Sequence, residues 1–205
     1  MTLNDELAAF YRRSGFGDVV GERPRTVQVY TGCLLVPMPN IETRRRYLKY
    51  HDLHHLVTGY SVGRIGEGEV SAWELGTGSF WVSPMLGLMN LIALSTGLVL
   101  QPRRMWKAFR RGRRSRNLYP AAIRAAVDAG HWQTIGALEY ATVDVRMSRS
   151  PRAVDAVVFA FYSMASMFIH FSIAIPAVLA RVVTDLMLGN SFFQAVKPVK
   201  RADLF

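Results

Sequence analysis

Five consecutive positions, His51-Asp52-Leu53-His54-His55, hold three of the chain's five histidines, and Glu67 follows His55 after eleven intervening residues. Imidazole nitrogens and carboxylate oxygens are the donors that first-row divalent metals take, and two imidazoles with one or two carboxylates suit Zn and equally Fe, Co or Mn. Packing alone asks for no nitrogen donors, so the clustering reads as a metal site.

The elements that must position these groups follow from local signals. Asn40 is the expected N-cap of a helix from about Ile41 to Thr58, with Gly59 at its end. At about 100° per residue, His51 and His55 lie one turn apart and roughly 40° apart around the axis. Asp52 falls about 60° beyond His55, whereas His54 sits on the other shoulder of His51, roughly 160° from Asp52. His54 is therefore set aside, at the pocket rim or behind the ligands. The stretch Tyr60 to Gly66 contains two more glycines and reads as a turn. Glu67 then opens a second helix and faces back toward the first. Glu69 and Glu74 read as structural or solvated.

Two rival motifs fail. His51-x-x-His54-His55 spells the HxxHH box of membrane desaturases and hydroxylases, but those di-iron sites draw histidines from several boxes and only His131 and His170 remain. The HExxH motif of zinc proteases needs a glutamate base at position 52, where this chain has the shorter Asp52.

The pattern HDxxH-x11-E resembles the signature of the coenzyme Q biosynthesis protein 4 family, metalloproteins of the ubiquinone pathway. Val36-Pro37-Met38-Pro39-Asn40 before the motif, Gly66-Glu67 and Trp73-Glu74 after it also fit, as do Leu118-Tyr119-Pro120-Ala121-Ala122 and Gly130-His131 more weakly. The resemblance covers roughly Thr26 to Arg149; the apolar tail beyond departs from it. It implies His51, Asp52, His55 and Glu67 as metal ligands and as the catalytic group, with zinc the first expectation. It also implies decarboxylation with hydroxylation at ring carbon C1 of a prenylated aromatic ubiquinone precursor. Asp52 or Glu67 could instead transfer protons beside the metal. A non-catalytic scaffold that holds the prenyl lipid and organises partner enzymes is the alternative, and an enzyme of another isoprenoid or lipid is a third reading. Expected partners are the quinone precursor, other quinone-biosynthesis proteins and a second copy of the chain.

Composition frames the site. The 205 residues are 50% apolar, which suits a single folded domain (residues 1–150) followed by an apolar, membrane-inserted or core-forming region (151–205). Helical signals dominate, so the expected class is mainly α with an apolar C-terminal helix. Thr2 with Asp5 resembles a capping pair ahead of the stripe Leu3, Leu7, Phe10 and Tyr11. Ser71 to Gly76, Ile92 to Leu100, Pro120 to Ala129 and Thr134 to Met147 read as helix. Thr26 to Val36 is strand-like, although its family counterpart is helical. The lone Cys33 can form no intrachain disulfide and reads as a small core residue. Asp5, Glu6, Arg12 and Arg13 interrupt the N-terminus, so no secretory signal is expected.

Two charge-free stretches raise a membrane setting. Leu75 to Pro102 is broken by glycines, Ser83, Pro84 and Asn90. Ala156 to Ala180 is long enough to cross a bilayer, with His170 and Pro176 inside it. Between them Arg103, Arg104, Lys107, Arg110, Arg111, Arg113, Arg114 and Arg116, interleaved with Trp106 and Phe109, account for most of the +10 net charge. They read as a surface for anionic lipid headgroups rather than nucleic acid, for which no module is recognisable. The expected location is a membrane face on the cytoplasmic or mitochondrial-matrix side.

Overall fold

A computed structural model describes residues 1–14, 26–31, 34–39, 41–145 and 152–187. Among the described residues the chain forms nine helices and one two-stranded antiparallel sheet, so the mainly α expectation holds. Helix α1 (Leu3–Arg13) starts with the expected reciprocal cap. Thr2 Oγ1 accepts from the Asp5 N–H at 3.2 Å and the Asp5 carboxylate accepts from the Thr2 N–H at 2.9 Å. Its buried face is Leu3, Leu7 and Phe10.

The strand-like run forms a hairpin, β1 (Thr26–Thr31) with β2 (Leu34–Pro39), in register Val29 to Val36, rather than the helix that the family resemblance implies. β-Branched residues favour this conformation, and Pro37 and Pro39, which lack an N–H, are tolerated because both strands of a two-stranded sheet are edges. Asn40 and Cys33 lie outside the described residues. The N-cap of helix α2 (Glu42–Thr58) is Ile41, one residue later than expected; its extended backbone leaves its carbonyl to accept from the Arg45 N–H, with no side-chain cap. Gly59 ends α2 in the left-handed region (φ 74°), and its N–H donates to the His55 carbonyl at 2.9 Å.

Helix α3 (Arg64–Thr77) carries Glu67 in its first turn, as expected. After the short α4 (Ser79–Val82) come the apolar α5 (Pro84–Leu100) and the basic α6 (Pro102–Gly112). Helices α7 (Ala121–Asp128) and α8 (Ile135–Thr142) follow. The helix expected to reach Met147 stops at Thr142. Val143 is extended and Asp144 turns left-handed (φ 52°), its N–H donating to Ser115 Oγ at 3.0 Å. Helix α9 (Arg152–Met187) closes the described chain.

Two apolar clusters flank the motif helix. One gathers Leu7, Phe10, Leu53, Val57, Leu118 and Leu138, and the other Trp73, Leu94, Met105 and Phe109. Helices α3 and α6 cross at backbone contact. A Cβ on Gly76 would strike the Phe109 carbonyl oxygen, and one on Gly112 the Trp73 carbonyl. Because both obstacles are main chain, Gly76→Ala and Gly112→Ala are each expected to destabilise the fold by about 3 kcal/mol. Gly136→Ala on α8, with nothing within 4 Å, should be neutral or stabilising. Urea denaturation of the three variants measures this; an unchanged Gly112→Ala midpoint would contradict the crossing.

Most of the basic run is paired with carboxylates of this chain. The Arg104 guanidinium donates to both Glu69 oxygens at 2.7 and 2.8 Å. Arg110 and Arg113 share the fully buried Asp155 of α9, and Arg111 and Arg114 share Asp144. Five of the eight cations therefore bind carboxylates of this chain, leaving Arg103, Lys107 and Arg116 exposed at the surface. Helix α9 also holds a stretch, Arg152–Ile173, long and apolar enough to cross a membrane, with mean hydropathy 1.7.

Candidate metal centre

His51 and His55 lie one turn apart on α2, and Glu67 reaches them from the first turn of α3. One donor atom from each of the three lies within 4.8 Å of the others. The Nε2 atoms of His51 and His55 each stand 3.4 Å from a different oxygen of Glu67. This trio could hold a metal ion.

The opposite ring nitrogens are already committed. His51 Nδ1 donates to Glu74 Oε1 at 2.9 Å, and His55 Nδ1 donates to the Tyr60 carbonyl at 3.0 Å. A carbonyl can only accept, so in neutral His55 the proton sits on Nδ1 and the Nε2 lone pair points at a carboxylate. His55 Nε2 is buried and finds no hydrogen-bond partner among the described residues, although a Glu67 oxygen stands 3.4 Å away. Lone pairs facing a carboxylate repel unless a cation or proton lies between them. Metal-bound histidines characteristically donate their second nitrogen to a carboxylate or carbonyl, as both do here. The donor set and its backing therefore fit a divalent cation.

His54 points the other way, as the helical angles require. It is fully buried, its Nε2 accepts from the Leu118 N–H at 3.0 Å, and its Nδ1 donates to Glu74 Oε1 at 2.7 Å. The Tyr119 hydroxyl donates to the same oxygen at 2.7 Å. Glu74 thus gathers three donors on one atom while being wholly buried. Thr77 Oγ1 donates to the Glu74 carbonyl, and Asn117 bridges Thr77 to the Tyr119 N–H. Asp52, also buried, is not part of the trio; the Tyr11 hydroxyl of α1 hydrogen-bonds to it.

Electrostatics follows these contacts. Burial lowers the His51 imidazole, but Glu74 and Glu67 outweigh it and hold it well above its ordinary 6.5. Burial raises Glu67, but His55 and His51 prevail and hold it well below the usual carboxylate range. Glu74 behaves alike, depressed by His51 and His54 against the cost of burial. Burial dominates at the other two groups, raising Asp52 and lowering His54. Because His51 must lose its proton before Nε2 can coordinate, metal affinity should rise with pH and go on rising above 6.5. Calorimetric titration of metal into protein, in buffers of different ionisation enthalpy, should show proton release well above that pH. Release that ends below it would refute the assignment.

Sequence reasoning placed His51, His55 and Glu67 together, set His54 aside and counted Asp52 with the ligands, whereas the trio does not include it. It missed the hub role of Glu74 and the contributions of Tyr119 and the Tyr60 carbonyl. A signal for Glu74 existed: it follows Glu67 by seven residues, only about 20° away around α3. No family model, curated protein or solved structure matches the chain.

Proposed function

We propose that the chain is a membrane-associated metalloprotein of quinone biosynthesis, acting on ring carbon C1 of a prenylated aromatic precursor by decarboxylation with hydroxylation, in which carbon dioxide leaves, a hydroxyl takes its place and an external two-electron oxidant such as dioxygen accepts the electrons. The observation that carries this reading is the trio His51, His55 and Glu67, with both histidines oriented from behind. The HDxxH-x11-E resemblance supplies the substrate class.

His51, His55 and Glu67 would hold the ion, zinc in the first instance or Fe, Co or Mn. When bound, it would supply Lewis acidity toward a ring carboxylate or phenol. The remaining work falls to side chains. Glu74 fixes the ring plane of His51, and the Tyr60 carbonyl fixes that of His55. Asp52, raised by burial and hydrogen-bonded to Tyr11, is placed to exchange a proton beside the trio rather than to ligate the ion. Arg44 lies two turns before His51 on the same face of α2, within electrostatic reach of Asp52 and Glu67, and brings positive charge toward an anionic ring substituent.

Contact with a bilayer is supported by exposed Trp81, Met85 and Leu88 and by the exposed cations Arg103, Lys107 and Arg116, which meet no carboxylate among the described residues. Each such cation contributes about 1 kcal/mol near anionic lipid.

The test is turnover by the purified, metal-loaded chain presented with a C1-carboxylated prenyl-phenol in detergent micelles, followed by mass spectrometry of the ring product. Metal-dependent loss of the carboxyl group is expected. Lipid retained without turnover would replace the catalytic reading with the scaffold reading.

A further inference from the structure

The long α9 carries a pattern that neither metal binding nor the fold absorbs. Eight of its exposed apolar side chains, Val154, Val157, Phe161, Met164, Phe168, Phe171, Ile175 and Val178, each 38–73% exposed, form one continuous row. Their spacing alternates three and four residues without interruption. This is the period of a helix–helix seam, in which each knob enters a hole on a facing helix.

The opposite face of α9 is already occupied. Phe159, Tyr162, Ala165 and Ile169 pack on the core of Trp73 and Phe109, and Ser166 Oγ donates to the Leu91 carbonyl at 2.6 Å. Asp155 anchors the first turn through Arg110 and Arg113. Along Arg152–Ile173 the stripe therefore lies opposite an occupied face, whereas beyond Ile175 the helix also exposes Leu179, Val183, Leu186 and Met187.

We infer that the exposed face of α9 is the interface with a second copy of this chain, the two α9 helices packing along this stripe. Three observations select this occupant. The eight side chains expose on the order of 800 Å² per copy, about what one partner contributes to a stable protein interface. Ala153, Ala156, Ala160 and Ser172 are also exposed beside the stripe, and such small residues let two helix backbones approach closely. Arg152 and Arg181 stand only at its two ends and no lysine or arginine occurs between Ala153 and Ala180, so the stripe lacks the cations along its sides with which an interfacial helix rests on phosphates. A self-complementary seam needs no charge. The inference stands independently of the metal centre.

The test uses the full chain in detergent-free buffer. Sedimentation velocity over a concentration series should give a dimer for the native protein. The double variant Phe161→Glu, Phe168→Glu should sediment as a monomer, with unchanged helix content and metal loading. The milder Phe161→Ala, Phe168→Ala pair should weaken self-association on the order of 1,000-fold, since buried interface aromatics are the usual hot spots. A native monomer at all concentrations, or a dimer indifferent to both variants, would overturn the inference. So would a native monomer whose flotation with phosphatidylcholine vesicles is lost in the glutamate variant, because lipid would then be the occupant.

Discussion

Alanine at position 74 should cost the metal-free fold about 3–5 kcal/mol, because it strips the acceptor from three buried donors at once. His51, His54 and Tyr119 all address Glu74 Oε1, and at least His54 and Tyr119 have no route to water. Glutamine is the more informative replacement. Its carbonyl oxygen can still accept, but the charge that supports the His51 imidazole is gone, and metal affinity should fall by about 10–100-fold, as it does when the backing partner of a ligand histidine is lost. The acid dependence should change as well. Glu74 is depressed below its ordinary 4.5, so its stabilisation is fully present above that pH and is lost as pH falls toward the folded value. Glu74→Gln should lack this acid-sensitive component. Urea denaturation across pH, with metal-buffered titrations of both variants, measures the effects. Native metal affinity in Glu74→Gln would mean that His51 needs no backing.

Removal of a ligand should act more strongly still on metal than on fold. His51→Ala, His55→Ala and Glu67→Ala are each expected to abolish stoichiometric metal, lowering affinity by well over the about 100-fold attributable to a backing residue. Glu67 is one-third exposed, so its alanine variant should remain folded and report on the site alone. Asp52→Asn is the contrasting case. If Asp52 carries a proton beside the trio, the asparagine variant keeps its metal and loses turnover. If it loses metal as completely as His51→Ala, Asp52 is a fourth ligand, as the family resemblance implies. Elemental analysis of each variant, purified without added metal, gives the answer.

Much of this site is local and therefore readable. The i, i+4 spacing of His51 and His55 forces them to one face of any helix, and the glycine-bearing turn brings Glu67 back. The helical angle that set His54 aside also directs it into the interior. What could not be read depends on partners far along the chain. Nothing near Glu74 in sequence announces Tyr119 or the Leu118 N–H, which arrive 45 and 44 residues later. The basic run shows the same limit. Eight cations in fourteen residues look like a surface, yet Glu69, Asp144 and Asp155, 30 or more residues from the arginines they bind, neutralise five of them. Helix ends were the other weak point. Ile41 caps α2 without a side-chain bond, and α8 stops where Asp144 turns to meet Ser115, neither of which propensity encodes.

The turn after α2 has a wider consequence. Gly59 adopts a left-handed conformation with open space around it, so no neighbouring atom bars a larger side chain and only the strained backbone conformation does. Yet the next residue supplies the carbonyl that decides which nitrogen of His55 carries the proton. In a saturation screen, position 59 would score as part of the cofactor apparatus although it offers no donor atom, and its tolerated residues would be ranked by backbone handedness rather than by size or polarity.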